Sequence, residues 1–525
     1  MKNHLLSKRI FRIVFLAWMV AGCTGNSDAG QARSPNILII FADDMGYGDV
    51  SCLNPESGIS TESIDALASQ GIIFSEAHAS ASVCTPSRYG LLTGRYAFRS
   101  VSGRKVVSGF KNPVIENDRE TMASLLKKAG YTTACIGKWH LGVTWQAKEK
   151  SEEICYNRET GHSNVDYQNG ILKGPGDYGF DYSFILPASL DMPPYLFIRD
   201  HKVIDPTMTL TSERYPRRLD STVYSWDKKH TREQDIYWGK GVWWREGEIS
   251  RSFHVEKCLE DIINESISYI DRHAMENVDK PFFLYLPLAA PHTPWTPSEK
   301  FRGKSSAGIY GDFVMEIDHG VGRIVEQLRE SGLYENTLII FSSDNGAYWP
   351  AEEIELTHHD SNQGRRGQKG DVWDGGHHIP LIISWPEKIK QRSRYEHLVS
   401  LTDLFATIAD LTGTEIDEGN GEDSFSFLPV LEGNMSTVTR PSMIHNSSRN
   451  MYSIRTGTWK YIEGLGSGGF TAPAKLEPVP SGPQGQLYRI DSDSLESTNL
   501  YLEYPDTVEM LKNELKQEIT KTSIQ

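Results

Sequence analysis

The chain has no surplus of positive charge. Its 525 residues carry 54 Lys and Arg against 69 Asp and Glu, a formal net charge of −15. No basic surface is therefore available to neutralise phosphates, which excludes nucleic acid as a general partner. An anionic ligand would need a local positive pocket on a negative body. Cysteine is scarce, with 6 residues, and no CxxC or other zinc-ligand spacing occurs. The apolar run from Ile13 to Ala21 is too short to span a membrane. No repeat at a solenoid or propeller period is present. The remaining composition, 38% hydrophobic and 10% aromatic with 45 Gly, is that of a loop-rich globular protein. It is long enough for one large domain and a smaller one.

The first residues read as an address. Lys2, Lys8 and Arg9 precede the short apolar run, the layout of a secretory signal over residues 1–22. The run ends in Val20-Ala21-Gly22-Cys23, which resembles a bacterial lipobox whose Cys23 is lipidated; simple cleavage without lipid is the alternative. Export to the periplasm or cell surface as a membrane-anchored lipoprotein follows, with residues 23–33 as a flexible tether. In an exported protein Cys52, Cys135, Cys155 and Cys258 could pair in three ways. Cys135, inside an apolar strand pattern, can equally be a buried free thiol.

Asn36 to Phe41 (NILIIF) is a continuous β-branched run, as expected of a parallel strand buried on both faces. It stops at Ala42-Asp43-Asp44-Met45-Gly46. Asn336 to Phe341 (NTLIIF) repeats the design and stops at Ser342-Ser343-Asp344-Asn345-Gly346. Further strands are predicted over 131–137, 281–286 and 380–385, with helices over 120–129 and 312–331. This alternation predicts an α/β fold: a large doubly wound, mainly parallel sheet flanked by helices, over residues 34–435. Beyond it, a hairpin over 451–463 and an amphipathic helix over 506–520 predict a small C-terminal α+β subdomain, residues 436–525, with a short antiparallel sheet. Residues 144–250 fit no regular alternation and read as a long insertion, rich in aromatics. Residues 464–485 are a second irregular stretch.

Two buried strands thus end in paired oxygen-bearing side chains, at the sheet edge where open α/β folds bind ligands. Either acidic pair alone could be a cap or turn. Together Asp43, Asp44, Asp344 and Asn345 offer oxygen only, the donor set of a hard divalent cation, with Ca²⁺ preferred to Mg²⁺. Pro86 places Cys84 at the start of a helix whose N–H groups and following Arg88 and Arg95 predict a lowered thiol pKa. A buried structural Cys is the alternative. In GKWHLG, strand alternation predicts that Lys138 and His140 point the same way, the first as charge for an anion and the second as a proton carrier. His292 leaves a strand between two prolines, and Lys369 precedes a Gly-flanked turn. His358, His359, His377 and His378 read as loop or satisfied core histidines.

The segments NILIIFADDMGYGD, CTPSRYGLLTGR, GKWHLG, LAAPHTP, YGDFVMEIDHGVG, SSDNG and QKGDVWDGG, over residues 35–386, occur in the order of the type I sulfatases. The chain resembles that family, part of the alkaline phosphatase superfamily. The resemblance implies that a maturation enzyme oxidises Cys84 to formylglycine. It implies that Asp43, Asp44, Asp344 and Asn345 bind Ca²⁺ together with residue 84. Arg88 is then expected to hold the modified residue, and Lys138, His140, His292 and Lys369 to surround the substrate sulfate. The implied reaction is hydrolysis of a sulfate monoester by the aldehyde hydrate through a covalent sulfate hemiester. Protonated His292 or Lys369 would act as acid and His140 as base.

Trp226, Trp238, Trp243 and Trp244, with Arg217, Arg218, Lys228, Lys229 and His230, suit sulfated sugar rings, so a sulfated polysaccharide or its oligosaccharides is the expected substrate. The same Trp residues could instead form the insertion's own core. Two rival functions remain: a formylglycine-dependent phosphodiester or phosphonate ester hydrolase, and a non-catalytic lipoprotein that binds sulfated glycans.

Overall fold

The computed structural model describes residues 34–150, 152–215, 245–277 and 279–521. The leader with Cys23, and the segment holding Arg217, Arg218, Trp226, Lys228, Lys229, His230, Trp238, Trp243 and Trp244, lie outside the described residues.

A ten-stranded sheet forms the centre. In chain order its strands are β1 (Asn36–Ala42), β2 (Gly71–Phe74), β3 (Thr132–Lys138), β4 (Tyr182–Leu186), β5 (Ile198–Arg199), β6 (Lys202–Val203), β7 (Phe282–Pro287), β8 (Thr337–Ser343), β9 (Leu381–Ser384) and β10 (Ser393–Tyr395). Across the sheet they run β10-β2-β9-β8-β1-β7-β3-β4-β5-β6. The five neighbours β8, β1, β7, β3 and β4 are all parallel, so their carboxyl ends share one edge. The apolar run of β1 is explained by its place in the middle. Leu38, Ile40 and Ala42 enter the core on one face, and Ile37, Ile39 and Phe41 that on the other, the two-residue period of a strand covered on both sides.

The flanking helices are α1 (Glu62–Ser69), α2 (Cys84–Thr93), α3 (Met122–Lys128), α4 (Cys258–Glu276), α5 (Gly308–Glu330) and α6 (Asp403–Thr412). Helices α1, α4 and α5 supply Ile64, Ile263 and Ile317 to one core. Helices α2, α3 and α6 supply Leu91, Leu125 and Phe405 to the other. The sheet is therefore covered on both faces, as expected.

Two departures have physical reasons. The 380–385 segment is a strand, but β9 pairs antiparallel with both β8 and β2; a buried apolar run does not encode its direction. The stretch 144–250, expected as an insertion, supplies β4, β5 and β6 to the main sheet. YSFIL is too short to show a period amid turn residues.

Toward the C-terminus, β11 (Ser442–Asn446), β12 (Tyr452–Thr456), β13 (Trp459–Ile462) and β14 (Gln486–Arg489) form an antiparallel sheet in chain order. The predicted hairpin is β12–β13. Helix α7 (Pro505–Thr520) lays Val508, Leu511 and Leu515 on it, beside Tyr96 and Phe98. Among the described residues, Cys52, Cys84, Cys135, Cys155 and Cys258 are free, and no helix is long and apolar enough to cross a membrane.

Candidate active site

The parallel register sets Ala42 beside Ser343, so Asp43-Asp44 and Asp344-Asn345 leave adjacent strand ends together. Asp44 takes a left-handed backbone, φ 66°, and its N–H donates to Asp344 Oδ1 at 3.1 Å. Asp43, Asp44, Asp344 and the Cys84 sulfur each place a ligand atom within 4.8 Å of the others, all buried. Asn345 Nδ2 donates to Asp44 Oδ1 (2.7 Å) and to the Gly346 carbonyl (3.0 Å). That leaves Asn345 Oδ1 buried without a partner among the described residues. Burial and the adjacent Asp43 carboxylate push Asp344 up to about 7, against the pull of Arg88. Crowded carboxylates beside an unsatisfied amide oxygen fit a hard, oxygen-seeking cation.

Cys84 opens α2, as predicted, but its thiol departs from expectation. Burial pushes it well above its ordinary value, and Lys138 and Lys369 do not offset that. Desolvation penalises the thiolate more than nearby charge and helix N–H groups favour it. Arg88, also fully buried, gives Nε and Nη2 to Asp344 Oδ2 at 3.0 and 2.8 Å, and Nη1 to the Lys138 carbonyl at 2.9 Å. It fixes a carboxylate and the end of β3. Arg95 turns away to Glu116 and Glu422.

Lys138 is the last residue of β3. Its Nζ contacts both oxygens of Asp43 (2.8 and 2.7 Å) and Ser189 Oγ (3.1 Å). Gly137, just before it, lets β3 lie close against the end of β7: a Cβ there would lie 1.9 Å from the Pro287 carbonyl oxygen. His140 lies beyond the strand with φ 53°, so strand alternation does not orient it. Its Nε2 meets the Val107 carbonyl at 2.9 Å. A carbonyl only accepts, so Nε2 carries the proton, and Nδ1 is buried without a partner among the described residues. Burial, then Lys138 and Arg88, hold His140 well below its ordinary value. The ring is a neutral base.

His292 follows β7. Its Nδ1 donates to the Thr293 carbonyl at 2.5 Å, and Nε2 stands 3.6 Å from Asp44 Oδ2. Burial, then Lys369, lower its pKa. Burial and the second cation in the pocket disfavour its charge, while Asp44 and Asp43 favour it. Lys369 Nζ lies 2.7 Å from Asp44 Oδ2. Burial opposes its charge, but Asp44, Cys84 and Asp43 together outweigh burial and raise it.

Of the other histidines, His359 is buried with Nε2 2.8 Å from Asp49. His377 meets His78 at 3.0 Å, and His378 bonds the Ser75 carbonyl. His358 is exposed. Sequence reasoning missed Ser189, Asp191 and Arg245. The first two follow β4 as His140 follows β3, and recognition of YSFIL as a strand would have flagged them through the same edge rule.

A metal-fitted carboxylate cluster and a ring of buried cations at the carboxyl edge of a doubly wound sheet define a hydrolase for anionic esters. The chain belongs to the sulfatase family, whose pattern matches residues 35–414. It is 31% identical to an N-acetylgalactosamine-6-O-sulfatase of Bacteroides thetaiotaomicron, over 96% of this chain and 97% of that protein. It is 30% identical to human steryl-sulfatase, over 86% and 78%. A solved structure from work on the metabolism of multiple glycosaminoglycans by Bacteroides thetaiotaomicron superposes with a TM-score of 0.77 at 30% identity. It covers 93% of this chain and 100% of its own. The protein is a sulfuric ester hydrolase.

Proposed function

We propose that this sulfatase removes sulfate from sulfated carbohydrate, with oligosaccharides bearing N-acetylgalactosamine 6-sulfate as the first candidates. Supporting this choice is the near full-length similarity to an enzyme named for that sugar. The nucleophile is residue 84 after conversion of its cysteine to formylglycine by a maturation enzyme, and the resident cation is Ca²⁺ before Mg²⁺. Asp43, Asp44, Asp344 and Asn345 would hold that cation. When present, the aldehyde hydrate supplies a hydroxyl nucleophile and the cation supplies Lewis-acid charge.

The observation that carries the reading is the gathering of Lys138, Lys369 and Arg88 with three carboxylates around one buried residue at a helix start. Lys138 and Lys369 bring fixed positive charge to the ester oxygens, where negative charge develops in the transition state. Lys369 Nζ, held protonated beside Asp44, donates to the leaving alcohol. His140 accepts a proton at Nδ1, and Val107 keeps its tautomer fixed through Nε2. His292, anchored through Nδ1, holds its Nε2 beside Asp44.

The test is sulfate release from N-acetylgalactosamine 6-sulfate and its oligosaccharides by matured protein, with a mass spectrum of the peptide holding residue 84. Release with an intact Cys84 thiol would refute the nucleophile assignment. Release only from non-carbohydrate sulfates would refute the substrate class. We also propose export with a lipid on Cys23, supported by the basic-apolar leader. Incorporation of a labelled fatty acid that persists in Cys23→Ala would overturn it.

A further inference from the structure

The carboxyl edge of the parallel strands carries one acid that the proposed chemistry does not use. Asp191 follows β4, two residues after the Ser189 whose hydroxyl accepts from Lys138. It is 7% exposed. Its Oδ2 accepts from Arg245 Nη1 at 2.8 Å, and its main-chain carbonyl accepts from the Arg245 N–H at 3.1 Å. Its Oδ1 is buried with no hydrogen-bond partner among the described residues. Burial raises the carboxyl, but Arg245, then His292, Lys369 and Lys138, outweigh burial and hold it below its ordinary value. Lys369 and Lys138 of the pocket therefore act on this ionised side chain.

A carboxylate beside an anion-binding pocket opposes the anion unless its charge is matched. Arg245 matches it, and the pair is neutral overall. Asp191 is not among the acids that converge on Cys84, and as an ionised group it has no proton to give. What it offers is an acceptor already stripped of water, beside a guanidinium whose side chain is 27% exposed. Sugar hydroxyls both donate and accept, so an acceptor next to a fixed donor fork matches two adjacent oxygens of a pyranose ring.

We propose that Asp191 and Arg245 are specificity-determining residues that read the sugar carrying the sulfate: Asp191 Oδ1 accepts from one ring hydroxyl, and Arg245 donates to its neighbour. The inference rests on the carbohydrate reading above. It gives the insertion-side strand β4 a part in substrate choice. A substrate without these hydroxyls leaves Oδ1 unpaired, and sites with an unpaired buried polar group discriminate strongly against such analogues.

The experiment compares kcat/KM for N-acetylgalactosamine 6-sulfate with that for 4-nitrophenyl sulfate, which has no ring hydroxyls. Asp191→Asn keeps an oxygen on Arg245 and turns an NH₂ toward the sugar. The ratio of the two kcat/KM values is expected to fall about tenfold or more, chiefly through KM for the sugar. Arg245→Lys should move the ratio the same way, and it decides the matter if the Asn variant does not fold. A ratio within twofold of wild type, or an equal loss on both substrates, overturns the proposal. Wild-type protein that turns over the aryl ester but not the sugar would sink the carbohydrate reading. Calorimetric binding of the same sugar sulfate to Cys84→Ser protein, with and without Asp191→Asn, then decides the role of Asp191. Equal or absent binding overturns it, and binding weakened tenfold supports it.

Discussion

Lys460→Met is a demanding test of how the C-terminal sheet is joined to the site. Lys460 projects from β13 with no exposed side-chain surface, its Nζ 2.7 Å from Asp374 Oδ1 and 2.8 Å from Glu496 Oε1. Asp374 belongs to the Gly-rich turn that follows Lys369. The methionine fills a similar volume but leaves two buried carboxylates short of one counter-charge. Removing one partner of a buried pair costs about 3–5 kcal/mol. Arg455 still pairs with Asp374 at 3.0 Å, and the Asp374 N–H still bonds Glu496 at 2.6 Å, which points to the lower end. An unfolding entropy of about 2.1 cal/mol/K per residue, over a body of Pro35–Gln525, gives about 1 kcal/mol/K, so about 3 kcal/mol lowers Tm by about 3 °C. Scanning calorimetry at one scan rate measures this. The sign of the pH effect is a second check. Burial already pushes Glu496 up to about 7 in the presence of Lys460. Without the ammonium its folded pKa rises further above its unfolded value, so the folded variant binds protons that the unfolded chain does not. Its deficit relative to wild type should shrink as pH falls from 8 to 6. A deficit under about 1 kcal/mol, or one that does not change with pH, would show that this network is not a buried charge balance.

Four further outcomes are expected. Asn345→Ala removes the unsatisfied oxygen and should weaken Ca²⁺ by about tenfold or more, read as a smaller Ca²⁺-induced rise in Tm; an unchanged titration would exclude Asn345 as a ligand. Chelation should abolish turnover, with Ca²⁺ restoring more of it than Mg²⁺. The acid limb of kcat/KM should lie below pH 6.5, because burial and Lys138 lower His140 and only its neutral form accepts a proton. A limb above 6.5, or one that stays in place in His140→Gln, would remove His140 as the base. Arg88→Lys should cost about 2 kcal/mol or more of stability, because an ammonium cannot keep both bonds to Asp344 and the bond to Lys138.

The sheet was legible where burial on both faces forces an uninterrupted apolar run, as in β1 and β8. The metal-fitted cluster was legible because those runs stop at Asp43-Asp44 and Asp344-Asn345. The hairpin at Thr456 and helix α7 followed from turn chemistry and amphipathic spacing. What stayed hidden depends on three dimensions. Strand β4 is five residues long and its local pattern is masked by turns, so Asp191 passed as a loop residue. The direction of β9 is set by its neighbours. The Cys84 thiol was misjudged because sequence shows nearby charge but not the burial that opposes ionisation.

The cover over Cys84 bears on the order of events under the proposed conversion. At 2% exposure, with Arg88, Lys138 and Lys369 closed around it, the side chain offers no approach to a second protein once the sheet has formed. If Cys84 is converted as proposed, the modifying enzyme would have to act before β3 closes against β7 and the Lys369 turn docks. On that proposal a chain that folds early would keep its buried thiol, and the yield of active protein would be set by a race between modification and folding.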